Sequence, residues 1–300
     1  MNVFRPLMAL LFLGGVAFGQ DTYSIRMARP VKAGERFKVS ARAAVLTKTV
    51  REVEKVPDQQ DEVNLACKVS GELTVLAVTT KGMPSELSLK IDTAETFDDG
   101  EPAEIFSTGD VIALKKGADD NVATVNGEEP DDQQAELIDV LMSVAGDDEA
   151  TDDEAFGTAD QKKVGDEWTA HRDVLAHEMA RQDIRGLKPA DLNAYAKLLT
   201  TTTLDGEPAI RISCDMSFDN QKARMRKLGD GMKAENVSAE VHSEVDLPVN
   251  VASTATRAKA TTKFSILAKG TIQDDEGQTV PVHVSMDRRT AIDASETPIK

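Results

Sequence analysis

The sequence predicts an α+β protein that is mainly antiparallel β, with long meandering strands in a curved sheet or half-barrel, two related halves, and one or two helices packed on the sheet. Three observations carry this expectation. Apolar residues alternate with period 2 over long stretches in both halves, turn signals separate those stretches, and the period becomes helical only in a middle section.

In 63–77 the positions Val63, Leu65, Cys67, Val69, Leu73, Val75 and Ala77 are apolar, while Asn64, Lys68, Ser70, Glu72 and Thr74 are not. That is the pattern of a half-buried antiparallel strand. Phe37, Val39, Ala41, Ala43 and Val45 alternate likewise upstream, with PDQQDE at 57–62 as the intervening turn, and Met83-Pro84 turns the chain into Leu87, Leu89 and Ile91. The C-terminal third behaves the same way. The β-branched run Thr200 to Thr203 meets the hairpin signal Asp205-Gly206, and Ile210, Ile212, Cys214 and Met216 follow. Val237, Ala239, Val241 and Val245 come next. Phe264, Ile266, Ala268 and Ile272, the turn DDEGQ, and Val280, Val282, Val284 and Met286 complete a meander.

Between these regions, Pro130-Asp131-Asp132 precedes AELIDVLMSVAG, which places Leu137, Leu141 and Val144 with Ile138, Met142 and Ala145 on one helical stripe. A second helix is expected from about His171 to Ile184, capped by Thr169. The acidic, turn-rich GDDEATDDEAFGTADQ between them reads as an exposed linker. The expected organisation is a leader at 1–19, a β-rich half at 20–129, a helix and acidic linker at 130–162, and a second β-rich half at 163–300. The two halves can form one domain.

VKAGERF at 31–37 and KKVGDEW at 162–168 share Lys-x-Gly-acid-x-aromatic. The economical inference is an internal duplication in which a tight turn at Gly34 or Gly165 delivers an aromatic plug, Phe37 or Trp168, into each half. Trp168, the single tryptophan, is then a folding anchor rather than a ligand platform. The Gly165-Asp166-Glu167-Trp168 turn, the leader and the following hairpin resemble a family of exported bacterial β-rich domains of unknown function with a G-D-x-W turn. The resemblance implies a β-rich fold and transfers no functional residue.

MNVFRPLMALLFLGGVAFG has one Arg, an apolar run and small residues at Ala17 and Gly19, the features of an export leader cleaved before Gln20. Losing Arg5 takes the formal charge from −17 to −18, which repels phosphate backbones and argues against nucleic-acid binding. The apolar stretch is too short to span a bilayer. Cys67 and Cys214 can be bridged in an oxidising compartment, or can be two small buried core residues.

Candidate chemistry is sparse. His177-Glu178-Met179-Ala180-Arg181 begins like a zinc-protease H-E-x-x-H but has Arg181 where the second ligand belongs. His171 and His177 are spaced poorly for one helical face, and His242 and His283 fall on polar sides of strands. No metal site, cofactor or catalytic residue is expected. The expected partner is an unknown protein or an apolar ligand. The leading expectation is a non-catalytic exported protein binding through its surface in the periplasm or outside the cell; the alternative is a half-barrel carrier of an apolar or lipid-like ligand, with room left by Ala41, Ala43, Ala239, Ala268 and Gly270.

Overall fold

A computed structural model describes residues 21–53, 56–118, 120–182, 184–220, 224–225, 232–273 and 278–299. The expected leader at 1–19, Asp119 and most of the DDEGQ turn lie outside the described residues. In the first half, a short strand β1 (Tyr23–Ser24) precedes β2 (Arg36–Val53), β3 (Gln59–Val78), β4 (Pro84–Asp98), β5 (Glu101–Pro102), β6 (Val111–Lys116) and β7 (Asn121–Val125). The middle section holds α1 (Asp132–Leu141), α2 (Asp152–Phe156) and β8 (Gln161–Lys162). The second half runs through β9 (Glu167–Thr169), α3 (Arg172–Arg181), β10 (Ile184–Arg185), β11 (Asn193–Leu204), β12 (Glu207–Asn220), β13 (Arg224–Met225), β14 (Lys233–Pro248), β15 (Thr256–Gln273) and β16 (Thr279–Pro298).

One large antiparallel sheet has the order β7-β6-β4-β3-β2-β16-β15-β14-β12-β11-β9, with β5 on β4. Nearly every strand pairs with its sequence neighbour, and the first long strand, β2, pairs with the last, β16, from Phe37 opposite Pro298 to Val53 opposite Val282. The meander therefore closes on itself at the chain ends. It stays open at one seam, because β7 and β9 end the order unpaired with one another. β3 alone, at about 3.3 Å per residue, would extend roughly 65 Å, and strands of that length twist and curl the sheet.

The alternation places its apolar rows on one face. Leu65, Cys67, Val69, Leu73 and Val75 are buried, and so are Phe37, Ala41, Ala43 and Val45 on the paired strand. At Gly71 the pairing with β4 shifts register, and a Cβ there would overlap the Lys90 carbonyl, which is why this one core-facing position lacks a side chain. Asp205 and Gly206 both take positive φ, 49° and 83°, as the hairpin between β11 and β12 requires.

Across the opposite face, the register lines up Glu167, Lys197, Ser213, Glu244, Lys259, Asp293, Arg42, Lys68 and Glu95 on successive strands. Lys259 reaches Asp293 at 3.2 Å and Lys68 reaches Glu95 at 3.1 Å. Apart from the buried Ser213, this row of charges of both signs is a water-facing surface.

The two Lys-x-Gly-acid-x-aromatic segments form the same turn. Glu35 N–H donates to Lys32 O at 3.1 Å and Asp166 N–H to Lys163 O at 3.0 Å. Gly34 N–H donates to Val75 O and Gly165 N–H to Leu198 O, both at 2.8 Å, while Val75 and Leu198 N–H return bonds to Glu35 and Asp166. Both glycines have positive φ, 87° and 94°. Phe37 then sits opposite Leu73 and Trp168 opposite Ala196, each two residues before the strand residue that holds the turn.

Three local expectations are corrected. The helical stripe at 137–145 is split: α1 ends at Leu141, and Met142 and Val144 are buried from an extended continuation. α3 begins after His171 without a side-chain cap, and Thr169 lies on β9 opposite Tyr195. The acidic linker contains α2, started by a capping box in which Thr151 and Glu154 each satisfy the other's backbone N–H.

Candidate functional site

Both helices that face the sheet are packed on its apolar face. Leu137 and Ile138 of α1 join Ala41, Ala43 and Val45 in one cluster, and Leu175 and Ala176 of α3 join Ala194, Phe218, Val237 and Ala239 in another. Ala41, Ala43 and Ala239 are thus covered, small residues letting the helices approach the strands instead of leaving a chamber, and Ala268 is buried as well. Between the two clusters, Val241, Val245, Ala258, Ala260, Thr262 and Ile292 on the three strands β14 to β16 are only half-buried.

The open seam is bridged from several directions. The stretch after β1 buries Ile25 and Met27 against Trp168, Ile212 and Leu247 of the second half. It then reaches the first half, where Val31 N–H donates to Gly82 O at 3.0 Å and Gly82 abuts Pro30. The segment after α1 is tied to the β3–β4 turn by Thr80 N–H to Asp147 Oδ1 at 2.7 Å and Ala145 N–H to Pro84 O at 2.8 Å. Glu149 clasps the halves: its Oε1 lies 2.7 Å from Lys116 Nζ on β6 and 3.4 Å from Arg181 Nη2 on α3.

These elements enclose a cleft of about 560 Å³. Its wall takes Ala28 to Pro30 from the N-terminal stretch, Lys81 to Pro84 from the β3–β4 turn, and Lys116 and Asn121 from the ends of β6 and β7. Residues of 143–152, Glu178 and Arg181 of α3, and Gln182 just after it complete the wall. The volume lies within the roughly 300–1,000 Å³ of small-molecule sites.

Lys81 Nζ donates to Glu154 Oε2 and Glu149 O, both at 2.8 Å, and Arg181 pairs with Asp148 and Glu178 as well as Glu149. The Arg181 pairing with Asp148 raises the guanidinium pKa and lowers that of the Asp148 carboxyl. Asp152 is exposed toward the cleft, yet enclosure of its carboxyl by protein, with Asp153 beside it, pushes its pKa up. Arg29 Nη2 donates to Pro248 O at 2.8 Å, while its Nε and Nη1 are buried without a hydrogen-bond partner. Desolvation lowers its pKa, opposed by Asp153.

Trp168 is not among the residues that line this cleft. Its Nε1 donates to Phe156 O at 2.7 Å, and Lys162 Nζ stands 5.8 Å from the ring centre. Gly34, Phe37 and Gly165 hold the duplicated turns. Cys67 and Cys214 are buried free thiols in two different clusters, so the bridged alternative does not describe this structure. Burial pushes the Cys67 thiol up to about 11 and the Cys214 thiol up to about 12, where neither is a nucleophile at neutral pH. His171, just before α3, and His177, on it, are exposed. His242 Nδ1 lies 2.7 Å from Asp215 Oδ1 on the charged face, and His283, opposite Lys269 and Glu52, belongs to a different row, so the two histidines are not brought together.

The sequence reading missed Glu178 and Arg181 as cleft residues. They belong to the stretch read as a failed zinc signature, and their i, i+3 spacing puts both on the face of α3 turned to the cleft.

No family model matches the chain, and no curated protein matches it in sequence. Among solved structures it is similar to the outer membrane protein OprG from Pseudomonas aeruginosa, at 7% identity and a TM-score of 0.20, covering 89% of this chain and 97% of that one. It is also similar to a mutant porin of Rh. blastica, at 11% identity and a TM-score of 0.17, covering 83% and 99%. The toluene transporter TodX of P. putida, at 7% identity and a TM-score of 0.17, covers 94% and 96%.

Proposed function

We propose that the protein is a non-catalytic exported binding protein that holds a small ligand in the seam cleft. The observation that carries the reading is the cleft itself: about 560 Å³, built jointly by the N-terminal stretch, both halves and the middle section. Neither cysteine supplies a nucleophilic thiolate at neutral pH, since both thiols are buried and raised in pKa. Export rests on the leader-like first nineteen residues.

A soluble periplasmic or extracellular location is supported by the charge ladder on the sheet's outer face. A membrane-embedded barrel presents lipid with an apolar band about 25 Å tall, and the row of Glu244, Lys259, Asp293 and Arg42 on successive strands departs from that pattern. Among the described residues no helix is long and apolar enough to cross a membrane.

A second reading, a carrier of an apolar ligand, is favoured by the half-buried strip of Val245, Ala258, Ala260 and Ile292 between the two helix-covered clusters. Native mass spectrometry of the protein isolated from an exporting cell tests the main reading: a small molecule released on denaturation is expected. Protein that is repeatedly isolated empty, and that gains no thermal stability from a small-molecule library, contradicts it.

A further inference from the structure

Among the described residues, the cleft cations Lys81, Lys116 and Arg181 each have a carboxylate within ion-pairing distance. Arg29 has none. Its one hydrogen bond, from Nη2 to Pro248 O, leaves Nε and Nη1 buried and unpartnered beside the cleft. A guanidinium offers five N–H donors in a planar fork that matches a carboxylate or phosphate. Leaving such donors buried and unpaired is costly, and an anion entering the cleft would relieve that cost.

We propose that the cleft binds an organic anion whose carboxylate or phosphate headgroup pairs with the Arg29 guanidinium while its short apolar body lies along Pro30, Met83 and Val144. The inference rests on the cleft being the ligand site. Lys81, Lys116 and Arg181 are balanced by Glu154, Glu149 and Asp148, which leaves Arg29 as the wall cation without an ion pair among the described residues.

The test is calorimetric titration of the mature protein with octanoate, inorganic phosphate and octanol, repeated on Arg29→Gln and Arg29→Lys after circular dichroism shows both folded. Octanoate is expected to bind the wild type and to lose about 10- to 100-fold in affinity in Arg29→Gln, the range for a charge-assisted hydrogen-bonded pair, with Arg29→Lys between. Phosphate binding with the same dependence on Arg29 supports the headgroup assignment and identifies an inorganic anion as sufficient. If octanol and octanoate bind alike, and equally in wild type and Arg29→Gln, the anion proposal is overturned while the binding reading stands. Failure of the folded wild type to bind either octanoate or phosphate at millimolar concentration also overturns it; the binding reading is judged separately, by the molecules that co-purify.

Discussion

The indole N–H of Trp168 donates to the carbonyl oxygen of Phe156, the last residue of α2, at 2.7 Å. One side chain thus ties the start of the second half's sheet to the middle section that forms the cleft wall. The ring itself is 8% exposed, packed with Ile25, Met27 and Leu198.

Trp168→Ala is therefore expected to cost about 3–5 kcal/mol and Trp168→Phe, which keeps most of the packing but orphans the Phe156 carbonyl, about 1–2 kcal/mol. His171→Ala, on an exposed side chain, is expected to change stability by under about 0.5 kcal/mol. Urea unfolding followed by circular dichroism separates the three. Equal midpoints for Trp168→Ala and wild type would contradict the anchoring role.

The matched turns predict matched responses. At Gly34 and Gly165 a Cβ would meet no neighbouring atom within 4 Å, so the cost of alanine is conformational alone. Each Gly→Ala variant is expected to lose about 1–2 kcal/mol. The turns belong to separate clusters, so the double variant should show the sum to within about 0.5 kcal/mol. A large effect at one site and none at the other would break the equivalence of the halves.

Glu149 joins Lys116 and Arg181 across the seam with side chains only about a fifth to a third exposed. Glu149→Gln is expected to destabilise by about 1 kcal/mol, less at high salt. The change should also increase hydrogen exchange in β7 and α3 more than in β15. Uniform exchange changes across the sheet would show that Glu149 does not act as a local clasp.

Glu296, paired with Thr256 on the inner face, has its pKa raised above the ordinary 4.5 by burial, with the Thr256 hydroxyl opposing. Between 4.5 and the raised folded value the native state holds this proton more often than the unfolded chain does, so stability falls as pH rises through that window. Glu296→Gln is expected to match the wild type near pH 4 and to melt higher at pH 7. A wild-type advantage at pH 7 would reverse the assignment.

How much of this was legible in sequence depends on how local each signal is. The alternation in 63–77 and the Asp205-Gly206 turn depend on neighbours, and the strands and hairpin follow them. The pairing of β2 with β16 joins opposite ends of the chain and leaves no local trace. The Thr151-x-x-Glu154 capping box was present in the acidic stretch, but the surrounding acids resembled a solvated linker, and Glu178 and Arg181 looked like a broken metal motif because the partners of Arg181 outside α3, Asp148 and Glu149, come from a distant segment. Arg29 gave no signal at all: its meaning lies in the atoms it does not contact.

The proposed ligand site is the seam cleft. Ala145 lines that cleft while its backbone is fixed to Pro84, so Ala145→Phe fills the space with little reason to disturb the sheet. Native mass spectrometry of wild type and Ala145→Phe, isolated side by side from the exported fraction, tests the claim most directly. A small-molecule adduct on the wild type that is lost from a folded Ala145→Phe is the predicted result; an adduct retained in full by the filled variant would contradict it.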